Sequence, residues 1–188
     1  MTAIEVVCQI AKRNRNIREI MFAAYYYVPQ SLTDRGLLKL YRLKEPTAEK
    51  IERFVEFLGK KLKKGWTFGV TSRVKLKSGG IRHIPQIDFA CLQSPHNFRR
   101  SLGCLRHFVK AKPGYLLKSG RSYHYYGLSL LTERQWQIFI GNCLLCNAVG
   151  KKSVVDARWF AYSMRRGFSN LRIVASDGKP EPMVITKV

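Results

Sequence analysis

Acidic residues are scarce in this 188-residue chain, which carries 12 Asp+Glu against 34 Lys+Arg and has a formal net charge of +22. A surface with so little negative charge repels basic partners and attracts polyanions, so nucleic acid is the first partner to consider. Hydrophobic residues make up 46% of the chain and aromatic residues 12%, which excludes a basic disordered tail. The positive charge therefore decorates a folded body.

Long apolar runs are also missing. The longest, residues 20–28, is too short to span a bilayer, and no segment shows the charged, apolar and cleavage regions of a signal peptide in order. The 5 cysteines are odd in number and lie in apolar surroundings. Together these features predict a cytoplasmic protein that has reduced thiols and no membrane partner.

Helical and strand-like patterns alternate along the chain, which predicts an α+β fold with a mixed or antiparallel sheet and packed helices. Helices are expected over residues 4–13, from Thr47 to near Gly65, from Pro95 to before Pro113, after Thr132, and over 158–166. Strands are expected over 18–28, 66–91 with a turn at 78–80, 115–117, 122–128, 171–175 and 183–186. We interpret residues 1–188 as a single domain, with an N-terminal part (1–65) and a core (66–188).

Two isolated carboxylates are the most informative residues. Asp88 is the only acid between Glu56 and Glu133, and Asp156 is the only one between Glu133 and Asp177. A lone carboxylate weakens a field that attracts phosphates, unless it holds a divalent cation that faces them. The alternative interpretation is that Asp88 pairs with a neighbouring arginine.

Three short segments share an order and spacing with a known family. They are residues 84–91 (Ile-Pro-Gln-Ile-Asp-Phe-Ala-Cys), 119–126 (Ser-Gly-Arg-Ser-Tyr-His-Tyr-Tyr) and 154–158 (Val-Val-Asp-Ala-Arg). This pattern resembles the archaeo-eukaryotic primase superfamily, whose members have an Asp-x-Asp strand, a Ser-Gly-rich turn ending in x-His, and a hydrophobic-Asp. The basic residues 165–173 also resemble the segment that follows in some small bacterial and plasmid primases. The resemblance covers about residues 66–180.

The resemblance implies an archaeo-eukaryotic primase-like core that performs metal-dependent nucleotidyl transfer on nucleic acid, with nucleoside triphosphates as substrates and primer synthesis or a related polymerisation as the outcome. Asp88 and Asp156 would bind Mg²⁺ or Mn²⁺, while His124 and Ser119 or Ser122 would bind the triphosphate. The cations expected to neutralise phosphates are Lys118, Arg121 and one of Arg165, Arg166 or Arg172. The alternative for His124 is a ring bonded to backbone in the core.

One departure from the family pattern bears on activity. The first motif should supply two aspartates, but Gln86 or Ala90 replaces one of them, and we favour Asp88-Phe89-Ala90 as the aligned motif. Weak or single-metal catalysis, a carboxylate borrowed from elsewhere, and a replication accessory that binds nucleic acid without synthesis all remain open. An unrelated basic RNA-binding domain is a further alternative.

A competing metal site consists of residue types that zinc accepts, in two pairs at ligand spacing: Cys104, His107, Cys143 and Cys146. Both pairs fall in predicted helices with apolar neighbours, so we favour packing thiols over zinc ligands. No helicase P-loop motif occurs in the sequence, which places any helicase or other replication partner on another chain.

Two further features suit a nucleic-acid strand. The tyrosines at 25–27 and at 123, 125 and 126 could stack on bases, although strand alternation should turn half of each group toward the core. Lys60–Lys64 could follow a phosphate backbone or could complement the dipole at a helix end.

Overall fold

The computed structural model describes residues 1–26, 39–109, 113–176 and 178–188. Its helices are α1 (Ala3–Arg13), α2 (Ala48–Lys61), α3 (Pro95–Gly103), which continues into a π-helical turn (Cys104–Phe108), α4 (Glu133–Leu144) and α5 (Ala157–Arg166). Its strands are β1 (Ile17–Tyr26), β2 (Lys39–Lys44), β3 (Trp66–Leu76), β4 (Ile81–His83), β5 (Gln86–Asp88), β6 (Gly114–Ser119), β7 (Ser122–Gly127), β8 (Asn170–Arg172) and β9 (Met183–Lys187).

Two antiparallel sheets organise these elements, which confirms the predicted α+β class. The first has the order β2-β1-β3-β4, and β8 also pairs with β3; the second has the order β5-β7-β6-β9. Helix α2 packs on the first sheet, where Phe54 contacts Phe22 with ring centroids 5.3 Å apart. This packing buries the apolar stripe of α2 predicted from its helical spacing, including Ile51 and Leu58.

The predicted helix starts are confirmed at the capping residues. Thr47 and Thr132 accept hydrogen bonds from backbone N–H groups in the first turns of α2 and α4, and Ser94 does the same for α3, with Pro95 at its first position. Helix α4 is buried on one side only, where Trp136 and Ile140 face the core. Ile138 is 55% exposed, because only one side of the helix packs on the core.

The hairpin predicted around residues 78–80 differs from the expectation in its second arm. Strand β4 pairs with β3 as expected, but the chain then leaves the first sheet and β5 joins the second one beside β7. Pro85 lies at the transition and has no N–H to donate to a ladder, which favours a break there. Asp88 is therefore on a strand as predicted, but in the other sheet.

A buried histidine links the first sheet to α4. The Nδ1 atom of His83 lies 3.1 Å from the Ser72 hydroxyl, its Nε2 lies 2.8 Å from a Glu133 carboxylate oxygen, and its ring stacks on Trp136 at 4.5 Å. Burial lowers the pKa of His83, although Glu133 acts in the opposite direction. The neutral imidazole is therefore part of the core.

The strand expected over residues 18–28 is confirmed up to Tyr26, and its last two residues lie outside the described part of the chain. Within the described ranges, no helix has both the length and the apolar character needed to cross a membrane.

Candidate active site

A cavity of about 850 Å³ lies where the two sheets meet. Its walls come from β1, β3, β5, the β6–β7 turn, β8 and the segment that follows β8. Of the residues predicted to act together, it is lined by Asp88, Ser119, Arg121, Ser122, His124 and Arg172. The fold therefore gathers side chains that are far apart in the sequence around one space.

Asp88 and His124 lie side by side on one wall of this cavity. They are direct partners in the antiparallel register of β5 and β7, and His124 Nε2 lies 3.5 Å from Asp88 Oδ1. Their side chains are 19% and 8% exposed, respectively. Directly opposed residues in a ladder project to the same side, so the strand register itself creates this acid–imidazole pair.

The β6–β7 turn forms the adjoining wall. Gly120 has a φ of 60°, a left-handed conformation that glycine adopts without steric cost. The turn is held in place by Gln93, whose Nε2 donates to the carbonyls of Gly120 at 2.8 Å and Ser122 at 2.9 Å. The Ser122 hydroxyl donates to the Phe89 carbonyl, next to Asp88. The turn is thus pre-formed: the Ser119 hydroxyl accepts from Arg172 and keeps its proton for a ligand, whereas Ser122 uses its proton on Phe89 and can only accept.

Arg172 lines the cavity and is 6% exposed. Its guanidinium donates to the Ser119 hydroxyl at 3.2 Å, to the Pro180 carbonyl at 2.7 Å and to the Val174 carbonyl. Burial lowers the pKa of Arg172, and the nearby Tyr25, Tyr126 and Asp88 oppose that shift. Because arginine remains protonated in proteins, the cavity has a fixed positive charge beside its serine turn.

The backbone of Asp156 lies next to that of Asp88, but the carboxylate of Asp156 has a different role. Its N–H donates to the Asp88 carbonyl at 3.0 Å, whereas its Oδ1 accepts the N–H groups of Arg158 and Trp159, both at 3.0 Å, as the N-cap of α5. Asp156 does not line the cavity. The sequence signal for this cap was an Asp directly before a helical pattern, and its metal-binding role stays a prediction.

The remaining predicted cations lie elsewhere. Lys118 is exposed on β6 and is absent from the cavity lining, as are Arg165 and Arg166 on the last turn of α5. Arg166 instead places its guanidinium 5.7 Å from the ring centre of Phe168. Of the three arginines left open by the sequence, Arg172 is the one positioned on the cavity.

The structure also bears on which residue replaces the second aspartate. Ala90 lines the cavity with Asp88, whereas Gln86 is fully buried, donates to the Val70 carbonyl at 3.1 Å and accepts from the Ser169 hydroxyl at 2.8 Å. Gln86 therefore has a structural role between the sheets. Position 90 is the one from which a carboxylate would reach the cavity.

Several lining residues were not predicted as site residues, among them Thr67, Asn170 and Lys179. Nothing in their local sequence marks them, because they enter the cavity through the pairing of β8 with β3 and the path of the chain after β8. The predicted stacking role of the second tyrosine group is wrong. Tyr125 and Tyr126 are fully buried, so neither ring offers a free face.

The cysteine expectation needs a correction. Cys104 and Cys146 form a disulfide with Cα atoms 5.7 Å apart, so the prediction of reduced thiols is wrong for these two residues. Cys8, Cys91 and Cys143 are free and buried. The physical reason is tertiary: the π-helical turn after α3 and the end of α4 meet. The bond engages two of the four proposed zinc ligands with each other.

A divalent cation fits this cavity in a restricted way. Mg²⁺ is commonly held by one or two carboxylates together with substrate phosphates and water. Asp88 supplies one carboxylate beside the His124 imidazole, and no cluster of three or more His, Cys, Asp or Glu that could hold a metal occurs in the described residues. These residues fit one ion whose coordination is completed by phosphate oxygens, rather than two ions held by the protein.

A comparison with known families agrees with this architecture. The profile of the AEP-like family, described as archaeo-eukaryotic primase 1D-like, matches residues 49–185, which is more than two thirds of the chain. The chain therefore belongs to this archaeo-eukaryotic primase-like family, as its motifs suggested. No curated protein and no solved structure gives a significant match.

Proposed function

We propose that this protein is a primase-like nucleotidyltransferase that binds a nucleoside triphosphate in the cavity and extends a nucleic-acid strand. The observation that supports it best is the placement of the Asp88–His124 pair beside the Ser119–Ser122 turn and the buried Arg172. A triphosphate needs donors for its oxygens and positive charge to balance it, and this wall supplies both.

In the proposed reaction, the 3′-hydroxyl oxygen of a strand forms a bond to the α-phosphorus of the bound nucleotide. The bond from that phosphorus to the bridging oxygen of the β-phosphate breaks, pyrophosphate leaves, and the hydroxyl proton is lost to a base or to water. A divalent cation bound at Asp88 would lower the pKa of the hydroxyl and neutralise charge on the phosphates.

The protein's own residues would position the reactants. The Ser119 hydroxyl and the Arg172 guanidinium would orient the β- and γ-phosphates, Ser122 would hold the turn through the Phe89 carbonyl, and His124 would donate to a phosphate oxygen. Because Arg172 is held by three acceptors in advance, it loses little freedom when the nucleotide binds.

Nucleotide incorporation on a primed template with Mg²⁺ or Mn²⁺ tests the proposal. Asp88→Asn should abolish incorporation while the protein stays folded. Asp156→Asn is an informative partner variant, because asparagine also caps helices and the substitution removes only the charge. Loss of incorporation without loss of stability in that variant would support a metal role for Asp156.

A second function is favoured by one specific observation. Asp88 is the only carboxylate that lines the cavity within the described ranges, and Asp156 Oδ1 is engaged in a helix cap. A replication accessory that binds nucleotide or nucleic acid without synthesis would need no more than this. If calorimetry detects triphosphate binding but no metal supports incorporation, the accessory role replaces the enzymatic one.

A further inference from the structure

A second opening adjoins the cavity at the start of β3. This opening, the α2–β3 groove, has a volume of about 480 Å³ and lies between the end of α2, the first residues of β3 and the segment after β8. Its apolar wall includes Leu62, Trp66, Phe68 and Val174, and Lys63 and Lys64 form part of its lining. An apolar slot that also carries lysines suits a ligand with flat rings and negative charge.

Two aromatic rings belong to this region: Trp66 lines the groove, and Tyr26 lies beside its lining residues Gly65 and Trp66. Trp66 is partly exposed, and Tyr26, its partner in the β1–β3 register, is 47% exposed with its ring 6.5 Å from Trp66 in an edge arrangement. The Tyr26 ring lies directly on Gly65, where an added Cβ would come within 2.6 Å of the ring. Glycine at this left-handed position therefore lets the tyrosine ring approach the backbone closely.

The lysines of the groove differ from Lys60 on α2. Lys60 pairs with Glu56 at 2.6 Å, whereas none of the ion pairs formed by the described residues involves Lys63 or Lys64. Both are exposed. Their charge is therefore available to a ligand such as phosphate.

The groove and the cavity are neighbours. Thr67 and Ser176 line both openings. A chain-like ligand bound along the groove would therefore end beside the cavity that contains the Asp88–His124 pair.

We propose that the α2–β3 groove binds an unpaired nucleic-acid strand, with bases stacked on Trp66 and Tyr26 and phosphates at Lys63 and Lys64, and leads it to the cavity. The strand must be single, because bases within a duplex are already stacked on each other. Strand binding itself is independent of catalysis, and only the direction toward the cavity rests on the proposed function.

Oligonucleotide binding without metal or nucleotide tests the groove. Fluorescence anisotropy with single-stranded DNA, single-stranded RNA and duplex DNA should show weaker duplex binding, and the DNA and RNA results distinguish the natural strand. Lys63→Gln combined with Lys64→Gln should weaken single-strand binding and lower the magnitude of its log–log salt slope by about 1.4, which corresponds to two phosphate contacts. The exposed pair Lys151→Gln with Lys152→Gln removes the same charge outside both the cavity and the groove and should leave most of the slope.

Tyr26→Ala should weaken binding by about fivefold or more, and Tyr26→Phe should restore it, because stacking needs only the ring. Trp66 also provides a direct signal, since Trp136 and Trp159 are 1% and 4% exposed. Bound oligonucleotide should protect Trp66 from acrylamide quenching.

Equal effects of the two lysine pairs, or unchanged quenching on saturation with a single strand, would overturn the groove and leave a diffuse basic surface. The two proposals fail separately. If Asp88→Asn abolishes incorporation and leaves oligonucleotide binding unchanged, both proposals are supported. If the Lys63/Lys64 variant keeps both its incorporation activity and its affinity for oligonucleotide, only the groove proposal is rejected.

Discussion

Adding back a carboxylate at position 90 is the sharpest test of the cavity as a cation site. Ala90 is exposed and lies two residues after Asp88, so both point to the same side of an extended chain, at a spacing of about 6.6 Å. At that distance two unit charges interact by about 2.5 kcal/mol at an effective dielectric constant of 20, and a divalent ion at Asp88 doubles the attraction.

Solvent at this open position screens much of that energy. We expect Ala90→Asp to tighten Mn²⁺ binding by about tenfold to hundredfold, which corresponds to about 1.4–2.7 kcal/mol. Thermal unfolding measures the effect, because a ligand at 100 times its Kd stabilises the folded state by about 2.7 kcal/mol. For a chain of this size, that corresponds to a rise in Tm of about 5–11 °C.

Two controls separate charge from shape and position. Ala90→Asn has nearly the same size without the charge and should show only the wild-type response to Mn²⁺. Gln86→Asp would place a carboxylate where Val70 and Ser169 now satisfy the glutamine amide, and should destabilise the protein without gaining Mn²⁺ affinity. An equal Mn²⁺ shift in Ala90→Asp and Ala90→Asn would refute the reasoning.

Three further predictions concern stability. Because burial lowers the pKa of His83, the folded state binds fewer protons than the unfolded chain, and Tm should fall as the pH drops below about 6.5. In melting curves recorded at several pH values, His83→Gln should weaken this dependence of Tm on pH. In Gly69→Ala the new Cβ would lie 2.1 Å from a carbonyl oxygen of β8, and we expect the free energy of unfolding, measured in urea, to fall by about 1–3 kcal/mol. In the control Gly59→Ala the new Cβ meets nothing within 4 Å, so this substitution should be neutral or stabilising. Reducing the Cys104–Cys146 bond, which spans a sequence separation of 42, should lower the free energy of unfolding by about 4 kcal/mol, and an unchanged urea midpoint with reductant would contradict the bond.

The elements that were predicted best depend on neighbouring residues. Thr47 and Thr132 begin helices because a hydroxyl three residues before a backbone N–H satisfies that group wherever the helix lies. The turn at Gly120 is equally local, since a left-handed backbone position favours glycine. Such local signals can be interpreted without knowledge of the rest of the fold.

The roles of the two isolated acids illustrate where local reasoning stops. Asp88 faces His124 because β5 pairs with β7 in one particular register, and the family resemblance implied that they share a site. The backbone N–H of Asp156 bonds to the Asp88 carbonyl, yet the Oδ1 atom of Asp156 accepts hydrogen bonds at the start of α5. A carboxylate can bind backbone N–H groups or a cation, and the sequence alone does not say which environment it will meet.

The sequence by itself determined the basic character of the chain, its α+β class, its helix starts and its family, because composition, periodicity and short motifs carry that information. Only the tertiary structure decided that Arg172 rather than Arg165 or Arg166 reaches the cavity, that Cys104 meets Cys146, and that Thr67 and Ser176 join two openings. These are contacts between residues distant in the chain. They follow from how the sheets and helices pack and pair, which no local pattern encodes.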